Sequence, residues 1–182
     1  MFLELITKRR SIRSYKNQPV EKDKLAVIIE SALMAPSSMG KAPWEFIVVT
    51  DPEIRKNLSK SKPHGSSFIG DAPAVIAVCV KPDISDVWIE DAALAALYIQ
   101  LAAEDIGLAS CWAQMRERKH SDSKKAEDYA AEILGIPHDI KVPFLIGIGY
   151  RNEEKPPHNK SGLKYNKIHN NKFGIPLDIS LS

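Results

Sequence analysis

Several common signatures are missing from this chain of 182 residues. No Gly-x-Gly-x-x-Gly stretch follows a candidate strand, which argues against a Rossmann dinucleotide site. No Walker-type phosphate loop and no Gly-x-Ser-x-Gly elbow occur. Cysteine is scarce. Only Cys79 and Cys111 are present, each inside an apolar run, which favours buried thiols over a disulfide framework. The histidines His64, His120, His138, His158 and His169 are scattered without zinc spacing, so no metal site is expected. No apolar run reaches membrane-spanning length, and no signal peptide is visible at the N-terminus. A cytoplasmic protein without a membrane anchor is expected. Net charge is only +2, which argues against wholesale nucleic-acid binding, and any basic patch must be local.

What is present is an ordinary globular composition, with 44% hydrophobic and 26% charged residues, enough for one packed core. The most informative stretch is Arg9-Arg10-Ser11-Ile12-Arg13-Ser14-Tyr15. Arginine offers a rigid fork of donors that matches phosphate, and serine hydroxyls and backbone N–H groups can fill the remaining oxygens. In an extended segment, alternate residues point the same way. Arg9, Ser11 and Arg13 then converge on one ligand while Ile12 faces the core. A solvated basic arm is the competing reading, and the apolar Ile12 and Tyr15 count against it.

Periodicity supplies the rest of the framework. Met1 to Lys8 reads as a short helix. Leu25, Ile28, Ile29, Ala32 and Leu33 mark one face of a helix from Lys22 to Met34. Glu45 to Thr50, Ala74 to Val80, Ser110 to Gln114 and Phe144 to Tyr150 read as strands. Pro52 to Lys60 and Asp122 to Leu134 read as helices, and Ser61 to Asp71 as a loop. The helix Glu90 to Ile106 is apolar on nearly every side, so it must be central, at a subunit interface, or both. From Arg151 the chain turns polar, with scattered apolar anchors from Leu163 to Ile179, too few for a core of its own. The expected class is α+β, a central mixed β-sheet flanked by helices.

Glu90-Asp91 and Glu104-Asp105 read as solvated helix faces rather than acid/base pairs. Cys111 reads as a structural thiol. No protein acid, base or nucleophile stands out.

Three segments taken in order resemble the nitroreductase family of FMN-dependent oxidoreductases. They are the arginine cluster; Ala35-Pro36-Ser37-Ser38-Met39-Gly40-Lys41-Ala42-Pro43-Trp44, leading into a strand; and Gly107-Leu108-Ala109-Ser110-Cys111-Trp112-Ala113-Gln114. The resemblance runs from residue 2 to about residue 150. It implies an intertwined homodimer with FMN at the interface, NAD(P)H as co-substrate, and small acceptors such as nitroaromatics, quinones or flavins reduced by a ping-pong route. It implies that the arginine cluster, Arg9, Arg10, Ser11 and Arg13, binds the cofactor. Arg9 and Ser11 would take the phosphate and ribityl end, and Arg13 the pyrimidine edge. Pro36, Ser37, Ser38 and Gly40 would come from the other subunit. Backbone groups of Ala113, Gln114 and Met115 would face flavin N5. Lys160, or else Lys155, would complete the phosphate site. Residues 1–150 would form the FMN-binding domain, and residues 151–182 an extension packing on the partner. The family loop often carries Asn and Gln where Gly40 and Ala42 stand here, which leaves open an FMN-binding carrier or sensor without turnover.

Overall fold

The computed structural model describes residues 1–177. Six α-helices and four strands occur among them: α1 (Phe2–Lys8), α2 (Lys22–Leu33), β1 (Trp44–Val49), α3 (Pro52–Leu58), α4 (Phe68–Asp71), β2 (Ala74–Val80), α5 (Trp88–Asp105), β3 (Ala109–Gln114), α6 (Ala126–Leu134) and β4 (Lys141–Gly149). The sheet order is β1-β2-β4-β3, and all three pairings are antiparallel. Parallel pairing is confined to one bridge, Ser11 to Ser110, where the N-terminal segment touches the β3 edge. The fold is α+β, and within these strands the sheet is antiparallel rather than mixed.

Alternation in the strands builds two cores. Val75, Ala77 and Cys79 of β2 face the layer formed by α3, α4 and α6. Ile76, Val78 and Val80 face α2 and α5. Both faces of β2 are buried, so it reads as a continuous apolar run.

Local chemistry sets two of the helix ends. Asp51 caps α3 by accepting from the N–H groups of Glu53 and Ile54 at 2.9 and 3.0 Å, with Pro52 at the first helical position. Gly107, at φ +79°, ends α5 and lets the Leu108 N–H return to the Ala103 carbonyl at 2.8 Å.

Most boundaries lie within two residues of the sequence reading, and three differences are larger. Helix α4 forms inside the expected loop, drawn in by the buried Phe68 and Ile69. Helix α6 begins at Ala126, because Ser121-Asp122-Ser123 makes a turn closed by the Lys119–Lys125 bridge. Strand β4 starts at Lys141 and contains Pro143, beside the register shift between Val78 and Val80 where an irregularity tolerates proline.

Helix α5 buries Ala92, Ala95, Ala96, Ile99 and Ala103 against the sheet. Its other face is open: Leu94 and Leu97 are 38% and 41% exposed. An apolar groove of about 640 Å³ runs between this face and α1, lined by Phe2, Leu5, Ser31, Leu97, Tyr98 and Leu101 among others.

Candidate functional site

The arginine segment is held by its apolar residues. Ile12 is fully buried and its N–H donates to the Ser110 carbonyl at 3.1 Å. The Tyr15 hydroxyl donates to the carbonyls of Ile12 and Gly147, at 2.6 and 3.1 Å. Burial pushes the Tyr15 pKa far up, so this hydroxyl stays a donor. The ring needs Gly149 opposite: a Cβ there would lie 3.0 Å from Tyr15 Cδ1 and 2.5 Å from Pro73 Cδ. The segment is therefore a fixed extended strip along the β3 edge, not a free arm.

On this strip Arg9 and Ser11 are half-buried and Arg13 is exposed. The Arg13 guanidinium lies 5.9 Å from the Phe68 ring centre. Arg10 turns to the Pro156 carbonyl, so one of its donors is engaged by the late segment.

The late segment packs on the same strip. Tyr15 and Arg151 form an antiparallel bridge, and the Asn152 N–H donates to the Ser14 carbonyl at 2.9 Å. Glu153 Oε1 accepts from the backbone N–H groups of Arg13 and Ser14, at 2.5 and 3.2 Å. The Arg13 N–H bond is the main reason its carboxyl sits below the usual carboxylate range. Lys155 Nζ reaches the Ser11 carbonyl at 2.5 Å and lies 3.4 Å from Glu153. Lys160 is exposed, in a 3-10 turn of residues 160–162. Of the two lysines singled out from sequence, the structure brings Lys155 to the cluster.

Strand β3 forms the floor. The Ser110 carbonyl points away from β4, since it accepts from Ile12, while the Met115 N–H donates to the Pro143 carbonyl at 2.9 Å. Backbone groups alternate sides along an antiparallel strand. The Gln114 N–H therefore faces the open edge, while those of Ala113 and Met115 turn toward β4. Only Gln114, of these three, offers an outward donor. This narrows the sequence expectation, because the Met115 N–H is already spent. The Gln114 side chain is braced by the Trp112 indole N–H and the Arg116 carbonyl, each at 3.1 Å.

Pro36, Ser37, Ser38 and Gly40 lie far along the chain from this strip, in the turn between α2 and β1. Ser37 Oγ accepts from the Ala42 N–H at 2.9 Å, and the Ser38 N–H donates to Asp91 at 2.8 Å. Met39, Gly40 and Ala42 all have positive φ, at 52°, 67° and 45°.

Three contributors escaped the sequence reading. Glu153 was not singled out, and Asp91 was read as a solvated helix face although it is 2% exposed; the partners of both are distant in sequence. Lys62 lay in a stretch read as a plain loop. Its ammonium pKa is lowered by burial and then by the Arg118 cation facing it. Among the described residues no cluster of three His, Cys, Asp or Glu could hold a metal ion.

A fixed cationic strip on an open strand edge of an α+β protein suits a phosphorylated ligand. Comparison with known proteins makes this specific: the Nitroreductase family pattern matches residues 6–62 and 60–150, and the chain belongs to that family. A protein of Archaeoglobus fulgidus named as an NADH dehydrogenase/NAD(P)H nitroreductase is 36% identical over 157 residues, covering 84% of this chain and 87% of its own. The NADH dehydrogenase of Thermus thermophilus is 27% identical over 187 residues, covering 86% and 90% of the two chains. An FMN-dependent nitroreductase structure from Clostridium difficile superimposes with a TM-score of 0.93 at 47% identity, covering 94% of this chain and 99% of that one. The protein is an oxidoreductase of this family. Among its described residues no helix is long and apolar enough to cross a membrane.

Proposed function

We propose that this protein is an FMN-dependent oxidoreductase that uses NAD(P)H to reduce small acceptors such as nitroaromatics, quinones or flavins. The observation that carries the reading is the junction of Lys155 with Ser11 inside the arginine strip. It brings cations from both ends of the chain to one place on the β3 edge. A phosphomonoester carries nearly two negative charges at neutral pH, and such a cluster answers that charge.

The residues present fit this cofactor. Arg9, Ser11 and Lys155 would hold the phosphate, with Arg10 contributing from beside Pro156. Arg13 would lie along the pyrimidine edge, where a cation favours added negative charge and raises the reduction potential. The Gln114 N–H would bond the ring near N5. Bound FMN supplies the hydride and electron chemistry, which is why the chain needs no acid or base of its own. Pro36, Ser37, Ser38 and Gly40 would close the site from a partner subunit. Nicotinamide and acceptor would then use one cleft in turn, which gives ping-pong kinetics.

A homodimer would cover the α5 face carrying Leu94 and Leu97, together with Phe2 and Leu3, which are 63% and 70% exposed. The later tail, where Leu163 and Phe173 are 51% and 94% exposed, would also find cover there. Both cysteines are free and buried, which suits the reducing cytoplasm.

The test is direct. Purified protein should be yellow and bleach anaerobically with NADH or NADPH, then recover colour on addition of a nitroaromatic or quinone. Protein that takes up no added FMN would sink the reading. FMN that binds but is reduced by neither nicotinamide would point to a carrier instead.

A further inference from the structure

The turn from Ser37 to Ala42 holds backbone that should not persist unaided. Met39 and Ala42 are non-glycine residues at φ 52° and 45°. Such conformations are strained and survive only where the surroundings over-determine them. Little apolar packing does so here: Met39 is 88% exposed, and Gly40, Lys41 and Ala42 are exposed as well. The bonds the turn makes within itself, Gly40 N–H to the Ser37 carbonyl, Lys41 N–H to the Ser38 carbonyl and Ala42 N–H to Ser37 Oγ, tie it only to itself.

The tie to the body is Asp91. This carboxylate is 2% exposed, in the first turn of α5, where the helix N-terminus favours negative charge. Oδ1 accepts the Ser38 N–H at 2.8 Å, and Oδ2 accepts the hydroxyl of Ser85 at 2.8 Å. Ser85 is itself 1% exposed. A buried carboxylate bonded through both oxygens cannot swing away without leaving an unpaired charge or donor. The geometry points to Asp91 as a positioning residue for the cofactor site. Its carboxylate fixes where the Ser37–Gly40 turn sits on α5, and through that turn it sets FMN affinity without touching the cofactor. This rests on the flavin reading above.

The charge on Asp91 is not what the role requires. An amide oxygen in the same place still accepts the Ser38 N–H, and the amide NH2 can donate to Ser85 Oγ in place of the bond lost. Asp91→Asn should therefore keep FMN affinity within about threefold of the parent, less than the loss of one hydrogen bond to a charged group. Asp91→Ala strands a buried donor and should weaken FMN binding by about 10- to 100-fold.

FMN titration of apoprotein by fluorescence quenching, run beside thermal unfolding of the same apoprotein, tests this. Weak binding by folded Asp91→Ala, rescued by Asp91→Asn, is the expected result. If Asp91→Ala loses stability but its folded fraction binds FMN as tightly as the parent, the role is merely structural and the inference is overturned. If Asp91→Ala does not fold, Ser85→Ala carries the test, because it frees one carboxylate oxygen and leaves Asp91 in place. It should weaken FMN several-fold, and unchanged affinity overturns the proposal. A normal Asp91→Ala affinity beside a crippled Arg9→Ala leaves the flavin reading standing and removes only this inference. Parent protein that takes up no FMN removes both.

Discussion

The Lys155 ammonium donates to the Ser11 carbonyl at 2.5 Å, across 144 positions of sequence. This contact makes a single cationic cluster out of two segments that neither periodicity nor spacing connects. It also separates two lysines that look equivalent in a tail rich in lysine. Lys155→Ala should weaken FMN binding by about 1.5–3 kcal/mol, the value of a charge-assisted hydrogen bond. Lys160→Ala should leave it within about 0.5 kcal/mol, as for other exposed substitutions. Equal losses in the two variants, measured by FMN titration, would refute this assignment.

In the proposed site Arg13 would lie where charge governs potential rather than phosphate binding. Arg13→Ala should weaken FMN by about 1.5–3 kcal/mol and lower the potential of what stays bound. Anaerobic titration against a reference dye reads both. A potential unchanged from the parent would move Arg13 off the pyrimidine edge.

Glu153 gives the site a dependence on pH. Its carboxyl is held below the usual value of 4.5, first by the Arg13 N–H. A folded-state pKa below the unfolded one gives a contribution that is complete above the unfolded value. That contribution fades as pH falls through the lowered one. The arginine strip should therefore loosen, and FMN should be released, on acidification below the ordinary carboxylate range. Glu153→Gln keeps an acceptor oxygen but cannot titrate, so its release curve should lose this acid limb. FMN fluorescence followed from pH 6 downward checks it, and superimposable curves for the two proteins would exclude Glu153 as the cause.

Gly149 tests the packing beneath the strip. A Cβ there would meet Pro73 Cδ at 2.5 Å, a separation real structures do not show, and Tyr15 Cδ1 at 3.0 Å. Overpacking of this kind costs about 1–3 kcal/mol. Gly149→Ala should lower the denaturation midpoint by that amount. It should also displace Tyr15, and with it the neighbouring Arg13. Unchanged stability in urea would show that Pro73 gives way more easily than its ring suggests.

The sequence made some of this legible and hid the rest for physical reasons. Strand β2 could be read to the residue, because every side chain from Ala74 to Val80 is apolar and both faces are buried. Ile12 could be assigned inward from simple alternation, and it is fully buried. Helix α4 was invisible, since four residues carry no period and its order comes from Phe68 and Ile69 docking into the core. The start of β4 was hidden by Pro143, which reads as a strand breaker until the neighbouring irregularity is seen. Asp91 looked like a solvated helix residue, because nothing local reveals that the Ser38 N–H, 53 positions away, will seek it. Glu153 was obscured in the same way, and Lys155 could be singled out only through the resemblance, behind Lys160. Contacts of that range are settled by tertiary packing, and a single sequence records only the partners, not the pairing.

Helix α5 bears on assembly. Seen from sequence it lacks a polar face, and in the structure Ala95, Ala96 and Ile99 pack inward while Leu94 and Leu97 remain open. The groove beside them continues to Phe2 and Leu5 of α1. A second copy of the chain would remove this surface from water, and stable obligate interfaces generally bury more than about 2,000 Å². Leu97→Glu places a charge in the middle of that face. Exposed in a lone subunit, it should scarcely change intrinsic folding; buried in a dimer without a partner charge, it should be strongly unfavourable. Sedimentation should therefore show a shift from dimer to monomer. Because the Ser37–Gly40 turn would close the site on the partner's arginine strip, FMN should be lost in the same step, and dilution of the parent should release FMN as it dissociates. A Leu97→Glu monomer that still holds one FMN per chain would overturn the two-subunit site. A Leu97→Glu protein that stays dimeric with FMN bound would place the interface on another face.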